Sequence, residues 1–316
     1  MDPKVYDILC IGGGPGGLGV AMTVSRQDFS VLVLDSGVYR NARSKHMHMV
    51  AGFDHVDPAA FLQKTRGDLQ ERYENFEFKS ATVKTVRKLE SGIFEAEDEQ
   101  GVIYQSKRLV LATGVKDVME DIPGYEQAWA YGIFHCLFCH GYEERGASSS
   151  GVLAIGHAAD PDVVERIAKM AKRLSKSVTV YTNGDSELST QSEAQLNSSK
   201  IRFDNRKIAK LAPVGSGPEV DVIFDDGSSQ REGFLSHLPR YEQRSSLAAQ
   251  LGLEMEESGV IKVEPPFNKT SLPGCMAVGD AATPFQGVLQ SLYMAAGSGS
   301  GVAAYLQDEL DAADEL

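Results

Sequence analysis

YDILCIGGGPGGLGVAMTVSRQDFSVLVLD, residues Tyr6–Asp35, is the stretch that decides the fold. An apolar run typical of a strand leads into a glycine-rich turn, a helical segment and a second apolar run that ends in an acid. This order predicts a βαβ unit, in which a crossover helix joins two parallel strands. The chain has 316 residues and is long enough for about two domains of this kind.

The glycine-rich turn has the spacing of a dinucleotide-binding site. Gly12, Gly14 and Gly17 form the pattern G-x-G-x-x-G, and Pro15 lies within it. The first glycine permits a tight bend, the second lets the backbone approach a pyrophosphate, and the third lets helix and strand pack closely. Asp35 follows the second strand, at about the distance expected of a carboxylate that binds a ribose. We therefore predict that this unit binds a dinucleotide.

Composition and charge argue against several classes of protein. Hydrophobic residues make up 42% of the chain and the formal net charge is −13, whereas nucleic acids and anionic membranes reward clusters of lysine and arginine. The N-terminal residues lack the basic and apolar regions of a signal peptide, and no run of 18 apolar residues occurs. We expect a cytoplasmic protein with a small-molecule partner, without nucleic acid or membrane among its partners.

The segment FHCLFCHGYEE, Phe134–Glu144, contains two of the four cysteines. Cys136, Cys139 and His140 have the spacing of a haem attachment site, of half a zinc site, or of a redox-active dithiol with a proton-transferring neighbour. The local pattern alone does not choose among these three. Cys10 and Cys275 lie in apolar runs, and we predict that both are small buried residues without a redox role.

Two further segments carry a resemblance to a known family. RLVLATGV, Arg108–Val115, reads as a buried strand with a small-residue turn, and GCMAVGDAA, Gly274–Ala282, reads as another. Together with the N-terminal unit they resemble the three FAD-contacting segments of the flavoprotein disulfide reductases, most closely the low-molecular-weight thioredoxin reductases. The resemblance covers nearly the whole chain in the same order.

That resemblance implies a three-layer α/β fold with two Rossmann-like domains. Residues 1–117 and 241–316 would form a discontinuous FAD-binding domain, and residues 118–240 an inserted domain that carries the C-x-x-C pair. It also implies a homodimer. By the same correspondence, FAD contacts the following residues: Gly12, Gly14, Pro15, Gly17, Asp35, Ala112, Thr113, Gly114, Gly279 and Asp280.

The inserted segment departs from the thioredoxin reductases where those enzymes bind NADPH. Its turn, GHAADP at Gly156–Pro161, keeps one glycine and gains an acid and a proline, which oppose phosphate binding through charge and a missing N–H donor. YTNGD, Tyr181–Asp185, contains no arginine or lysine for a 2′-phosphate. We therefore predict a degenerate NAD(P)-binding-like domain and no use of NADPH.

This departure predicts reversed electron flow: a substrate dithiol reduces the cysteine pair, the pair reduces FAD, and an external acceptor takes the electrons, which the resemblance described next implies is oxygen. The combination looks like the FAD-dependent dithiol oxidases of the gliotoxin type, which close disulfides in epidithiodiketopiperazine-like natural products. Their C-x-x-C-H-G neighbourhood is similar to Cys136–Gly141. The resemblance makes Cys136 the exchange cysteine and Cys139 the flavin-side cysteine. His140 is predicted to transfer protons, since imidazole titrates near neutral pH.

Alternatives remain beside this interpretation. Haem attachment and a four-ligand zinc site lack their accompanying signals, so the dithiol interpretation is preferred. We expect KHMHM, Lys45–Met49, to be a loop over flavin or substrate rather than a metal site, and Glu143 and Glu144 to continue a solvated helix. Two other functions stay open: electron exchange with a protein dithiol or a ferredoxin-like partner, and sequestration of a reactive disulfide with little turnover.

Overall fold

The computed structural model describes residues 4–313. The chain forms two compact units. The first comprises the residues up to Ala42, Asp57–Lys116 and the residues from Glu242 onward; the second comprises Arg43–Val56 and Asp117–Tyr241. The cuts at residues 116 and 241 lie one residue from the predicted domain boundaries.

The segment Arg43–Val56 differs from the predicted division, which placed it in the FAD-binding domain. Its side chains contact residues of the second unit that are distant in sequence. Arg43 Nη1 donates a hydrogen bond to the carbonyl of Glu126 at 2.9 Å, and His48 Nε2 lies 3.4 Å from Glu143 Oε1. Sequence order alone could not show this grouping, because it depends on long-range pairs.

The strands are numbered in chain order. They are β1 Val5–Ile11, β2 Val31–Asp35, β3 Phe76–Ser80, β4 Val83–Lys88, β5 Phe94–Asp98, β6 Ile103–Leu111, β7 Val115–Asp117, β8 Ile133–Phe134, β9 Ser150–Leu153, β10 Val178–Tyr181, β11 Ile201–Asp204, β12 Ile208–Pro213, β13 Val220–Phe224, β14 Ser229–Glu232, β15 Leu235–Ser236, β16 Tyr241–Gln243 and β17 Cys275–Ala277.

The helices follow the same convention. They are α1 Pro15–Ser25, α2 Pro58–Arg72, α3 Tyr125–Ala128, α4 Leu137–His140, α5 Pro161–Leu174, α6 Ser186–Gln195, α7 Leu247–Gln250 and α8 Val288–Ala312. Short 3-10 helices span Tyr142–Glu144, Gly156–Ala158 and Gly279–Ala281. Along residues 4–313, no helix combines the length and apolar character needed to cross a bilayer.

A seven-stranded sheet organises the first unit. Its strand order is β3-β2-β1-β6-β5-β4, with β17 also paired to β6. β1 pairs in parallel with β2 and β6, and β17 pairs in parallel with β6, whereas β5 is antiparallel to both β4 and β6. The predicted βαβ unit is therefore β1-α1-β2. β2 is buried along its whole length, as expected for a strand inside a parallel sheet.

Small residues let α1 and α8 pack closely. A Cβ atom built on Gly19 would lie 2.8 Å from the Cβ of Ala295, and one built on Gly299 would lie 2.6 Å from the Cβ of Thr23. A larger side chain at either glycine would push the two helices apart. These contacts fix the position of the middle and the last turn of α1 against α8.

The second unit has its own parallel sheet, with the order β11-β10-β9-β15-β8. β12, β13 and β14 form a separate antiparallel sheet. α5 packs on the parallel sheet through Val164, Ile167, Ala168 and Ala171, which recur at helical spacing and are buried with the sheet residues. The predicted strand, helix and strand of the inserted segment are thus β9, α5 and β10, and the α/β class predicted from the sequence is confirmed.

Candidate redox and cofactor sites

Cys136 and Cys139 form a disulfide with their Cα atoms 5.2 Å apart. Cys136 is the N-cap residue of α4, and its Sγ accepts a hydrogen bond from the backbone N–H of Cys139 at 3.2 Å. Both residues are partly exposed. Cys10 and Cys275 are buried, as predicted, and burial raises the pKa of each thiol to about 12. The reactive sulfur of this chain is therefore concentrated in the C-x-x-C pair.

His140 ends α4, one residue beyond the disulfide. Its ring stacks on Phe134 with the centroids 5.4 Å apart, and its Nε2 is buried without a hydrogen-bond partner among the described residues. Burial holds the pKa of His140 below the usual 6.5; nearby His48 lowers it further, and Glu143 acts in the opposite direction. The imidazole is therefore neutral at neutral pH and has a nitrogen free to take a proton.

The histidine-rich loop lies within the same unit as the disulfide. His46 stacks on His55 with the ring centroids 3.9 Å apart. His48 lies 3.4 Å from Glu143, and His55 lies 3.9 Å from the same carboxylate oxygen. Glu143 was expected to be part of a solvated helix. It is partly exposed, but it faces the histidines of a segment distant in sequence.

Two carboxylates lie at the turn after β9, where the resemblance to thioredoxin reductases predicts the position of an NADPH pyrophosphate. A Cβ atom built on Gly156 would lie 2.4 Å from Glu120 Oε1. The carboxylate of Asp160 caps α5 by accepting the N–H groups of Asp162 and Val163 at 3.0 and 3.1 Å. Two backbone donors that could face a phosphate are thus already satisfied, and the added charges are negative. Burial raises the pKa of Glu120.

The residues after β10 serve local structure. Asn183 Oδ1 accepts the N–H of Ile208 at 2.7 Å, and Asp185 Oδ1 accepts the N–H of Leu188 at 2.9 Å as the cap of α6. Lys207 packs its aliphatic carbons beside Gly184. Arg206 is held by the carboxylate of Asp204. The arrangement resembles a structural turn more than a pocket for a 2′-phosphate.

The side chain of His237, which directly follows β15, is completely buried. Its Nδ1 lies 2.6 Å from the hydroxyl of Tyr125 and its Nε2 lies 3.2 Å from the carbonyl of Ile155. A carbonyl only accepts, so Nε2 carries the proton and Nδ1 accepts from the tyrosine. Burial lowers the pKa of His237 to about 4. Sequence reasoning missed this pair because neither residue belongs to a motif.

In the first unit, the glycine-rich turn lies at the carboxyl end of β1. Gly12 has a φ of +114°, and a Cβ atom there would lie 2.2 Å from the carbonyl oxygen of Ala112. A Cβ atom on Gly17 would lie 1.9 Å from the carbonyl oxygen of Gly12. Neither position can carry a side chain without moving the backbone. By contrast, no described atom lies within 4 Å of a Cβ atom built on Gly14.

The other predicted cofactor residues lie at the same edge of the sheet. Asp35, at the end of β2, accepts the N–H of Gly13 at 3.0 Å and the hydroxyl of Tyr39. Ala112–Gly114 directly follow β6, and Gly279 and Asp280 follow β17. Since the carboxyl ends of neighbouring parallel strands meet at one edge, the tertiary structure brings these predicted positions together.

Arg40 is a residue of this edge that sequence reasoning missed. Its Nη1 lies 2.9 Å from Asp280 Oδ2 and also contacts the amide oxygen of Gln286. Both charged side chains are largely buried, being 16% and 15% exposed. A cation at this edge of the sheet suits a pyrophosphate, but an isolated arginine outside any motif carries no sequence signal.

This edge fits the dinucleotide FAD. Pro15 starts α1 without a side-chain cap and without an acid in the first turn, so the first N–H groups of the helix remain available to an anion. The open space at Gly14 lets that anion approach the backbone. Asp35 offers carboxylate oxygens for a ribose. When bound, FAD supplies two-electron chemistry; the contacts assigned to individual residues stay predictions.

Comparison with known proteins agrees with this geometry. The family model described as pyridine nucleotide-disulphide oxidoreductase matches residues 6–299. The chain belongs to that family. It is an FAD-dependent disulfide oxidoreductase and resembles the thioredoxin reductases.

Its relatives include fungal proteins named as thioredoxin reductases. Thioredoxin reductase aclD of Aspergillus oryzae is 39% identical over 309 residues, which span 97% of this chain and 98% of the relative. Thioredoxin reductase tcpT of Claviceps purpurea is 38% identical over 310 residues, which span 98% and 96%. The crystal structure of HlmI has a TM-score of 0.88 at 27% identity, covering 98% of this chain and 95% of HlmI. The resemblance stated from the sequence is confirmed.

Proposed function

We propose that this oxidoreductase is an FAD-dependent thiol oxidase. It forms an intramolecular disulfide in a small, epidithiodiketopiperazine-like dithiol, passes the electrons to oxygen and makes no use of NADPH. The observation that carries this direction is the pair of carboxylates, Glu120 and Asp160, at the turn where a reductase would take the NADPH pyrophosphate. Because these carboxylates oppose the binding of NADPH, the substrate dithiol is the electron donor that remains for the Cys136–Cys139 disulfide.

Disulfide exchange with the substrate proceeds in two steps. One substrate thiolate attacks Cys136 Sγ, which forms a mixed disulfide and breaks the bond to Cys139. The second substrate thiolate attacks the substrate sulfur of that mixed disulfide, so that the product disulfide forms and the Cys136 thiolate leaves. The substrate loses two electrons and two protons, and the cysteine pair gains two electrons. FAD held by the glycine-rich turn and Asp35 would supply the acceptor for these electrons, and oxygen, on receiving two electrons and two protons, would become hydrogen peroxide.

The surroundings of the pair support these roles. The N–H of Cys139, which points at Cys136 Sγ, favours a thiolate at that sulfur after the bond breaks. His140 has an unpartnered, buried Nε2 and a pKa lowered by burial. It is therefore suited to accept a proton from an attacking thiol and to release it later in the cycle.

A protein dithiol is the second candidate substrate, because relatives are named as thioredoxin reductases. Phe138 and Tyr142, on either side of Cys139, are 71% and 65% exposed, as a surface that docks a protein would require. The net charge of −13 would suit a basic redox protein.

Homodimer formation and a cytoplasmic location belong to the same proposal. Exposed apolar side chains occur at and near the start of α8, with Phe285 76%, Leu289 55% and Tyr293 72% exposed. Such side chains are typical of surfaces that become buried in an assembly. Light scattering of the purified protein measures the mass and decides between monomer and dimer.

The direction of electron flow is tested by anaerobic stopped-flow mixing of the FAD-loaded protein with NADPH, NADH, a small dithiol or reduced thioredoxin. We expect flavin bleaching by the small dithiol alone, reversed by air with formation of peroxide. Rapid bleaching by NADPH would contradict the oxidase direction, and bleaching only by thioredoxin would replace the small substrate with a protein.

Cysteine variants test whether the Cys136–Cys139 pair carries the electrons from the dithiol to the flavin. Cys136→Ser and Cys139→Ser should each lower turnover by at least about a thousandfold while FAD remains bound, because the exchange requires both sulfurs. Cys275→Ala is the matched control and should retain turnover. Equal turnover by Cys139→Ser would exclude the pair as the electron carrier.

A further inference from the structure

A second cluster of chemically reactive side chains lies outside the disulfide. The ligand atoms of His48, His55 and Glu143 all lie within 4.8 Å of one another. His48 Nε2 is 3.4 Å from Glu143 Oε1, and His55 Nδ1 is 3.9 Å from the same oxygen. All three residues belong to the second unit.

These separations approach those of a zinc site. In a tetrahedral site with bonds of about 2.0 to 2.1 Å, neighbouring ligand atoms are about 3.3 Å apart. The His48–Glu143 separation already has this value, and binding requires His55, whose side chain is 57% exposed, to move closer to both Glu143 and His48. Two imidazoles and one carboxylate are a ligand set that zinc commonly accepts.

Asp54 provides a second observation that points to a metal. Its Oδ1 lies 3.4 Å from His48 Nδ1 and also accepts the backbone N–H of Met49 at 3.0 Å. A carboxylate on Nδ1 fixes the proton there and leaves the lone pair of Nε2 facing Glu143. Metal-binding histidines are oriented by such a carboxylate on the other ring nitrogen.

His55 is oriented by different means. Its ring stacks on His46 at a centroid distance of 3.9 Å and an interplanar angle of 22°. This stacking restricts the ring of an otherwise exposed side chain. Each of the two histidines therefore has a neighbour that limits its orientation before any ion binds.

We propose that His48 Nε2, His55 Nδ1 and Glu143 Oε1 bind a zinc ion and leave its fourth coordination position open to water or to a thiolate. The proposal differs from the expectation, drawn from the sequence, that Lys45–Met49 is a loop over flavin or substrate rather than a metal site. It is independent of the direction of electron flow proposed above. Since the charges of His48 and Glu143 act on His140, a dication held between them would change the electrostatics beside the redox pair.

The test uses the oxidised, FAD-loaded protein after treatment with a chelator, so that Cys136 and Cys139 stay in their disulfide and do not compete as thiolates. Zinc chloride is titrated against a chromogenic zinc indicator in the presence of the protein. We expect the protein to withdraw one zinc ion per chain from the indicator. Magnesium should not compete, because it prefers oxygen ligands in octahedral geometry.

Substitutions of the proposed ligands test which side chains bind the zinc ion. His55→Ala and Glu143→Gln should each weaken zinc binding by at least about tenfold, and Asp54→Asn by about 10- to 100-fold through the orientation of His48. His157→Ala, at an exposed histidine of the 3-10 helix Gly156–Ala158, should bind zinc as the wild type does. FAD content and circular dichroism report whether each variant is folded.

Three results would contradict the proposed zinc site. Failure of the wild type to withdraw zinc contradicts it directly. Binding that survives both His55→Ala and Glu143→Gln places the ion elsewhere. Loss of binding in the Cys136→Ser, Cys139→Ser double variant, with these three side chains intact, would assign the zinc to the cysteines instead.

Discussion

Glu120 and Gly156 lie so close that a Cβ atom on the glycine would come within 2.4 Å of the glutamate Oε1. The carboxylate therefore covers the turn that a dinucleotide pyrophosphate would have to approach. Asp160 adds a second negative charge at the start of α5, where its side chain already accepts two N–H groups. Together these residues explain in electrostatic terms why this family member is expected to differ from a reductase that uses NADPH.

Removing both charges should increase the affinity for NADH. In a Glu120→Gln, Asp160→Ser variant the serine can still cap α5, while two repulsive interactions of about 1 kcal/mol each disappear. We expect the dissociation constant, measured by NADH fluorescence, to fall by about thirtyfold relative to the wild type. Glu165→Gln, farther along α5, is the control. An unchanged affinity in the double variant would show that charge is not what opposes the dinucleotide.

Gly14→Ala should weaken FAD binding without disturbing the fold. The φ of −75° at Gly14 suits alanine, and no described atom opposes the new methyl group. Thermal unfolding of the apoprotein should stay within about 0.5 kcal/mol of the wild type. The methyl group would, however, occupy the space through which a pyrophosphate approaches, so the FAD dissociation constant should rise by at least about tenfold.

Gly67→Ala is the matched control for that prediction. Gly67 lies within α2, and a Cβ atom there also has no neighbour within 4 Å among the described residues. Alanine in a helix interior should add up to about 1 kcal/mol of stability and leave FAD binding unchanged. Equal FAD affinities for the Gly14→Ala and Gly67→Ala variants would show that FAD does not bind against the turn at Gly14.

His140 should govern the acid side of the pH profile. Because burial holds its pKa below 6.5, the neutral base persists below neutral pH, and kcat/KM for a small dithiol should fall only as the pH drops through that lowered pKa. His140→Gln should lower kcat/KM by about a hundredfold and remove this limb. His157→Gln serves as the control. If kcat/KM of His140→Gln still falls at acid pH as it does in the wild type, another group is the base.

His237 should make stability depend on pH. Its folded-state pKa is about 4, below the roughly 6.5 of an unfolded histidine. The unfolded state thus binds the extra proton first. The contribution of His237 is complete above about pH 6.5 and is lost as the pH falls toward 4, amounting to about 3 kcal/mol. Urea unfolding at several pH values should show a smaller loss for His237→Gln than for the wild type. Parallel losses in both proteins would exclude this histidine as the cause.

Much of the fold could be predicted from local patterns. The β1-α1-β2 unit, the strand before Ala112 and the strand before Gly279 each have apolar runs followed by small residues, and the structure contains all of them. Such runs report secondary structure because burial and backbone geometry act over a few residues. The disulfide pair and its histidine were equally visible, since three adjacent functional groups lie within five positions.

The sequence by itself determined the α/β class, the glycine turn that suits FAD, the C-x-x-C-H stretch and the loss of glycines at Gly156. These features depend on residues that are neighbours along the chain. Only the tertiary structure decided that Arg43–Val56 packs with the second unit, that Glu120 covers Gly156 and that His48 faces Glu143. Those pairs are separated by tens of residues, and their contact is set by the packing of whole elements, which no local pattern encodes.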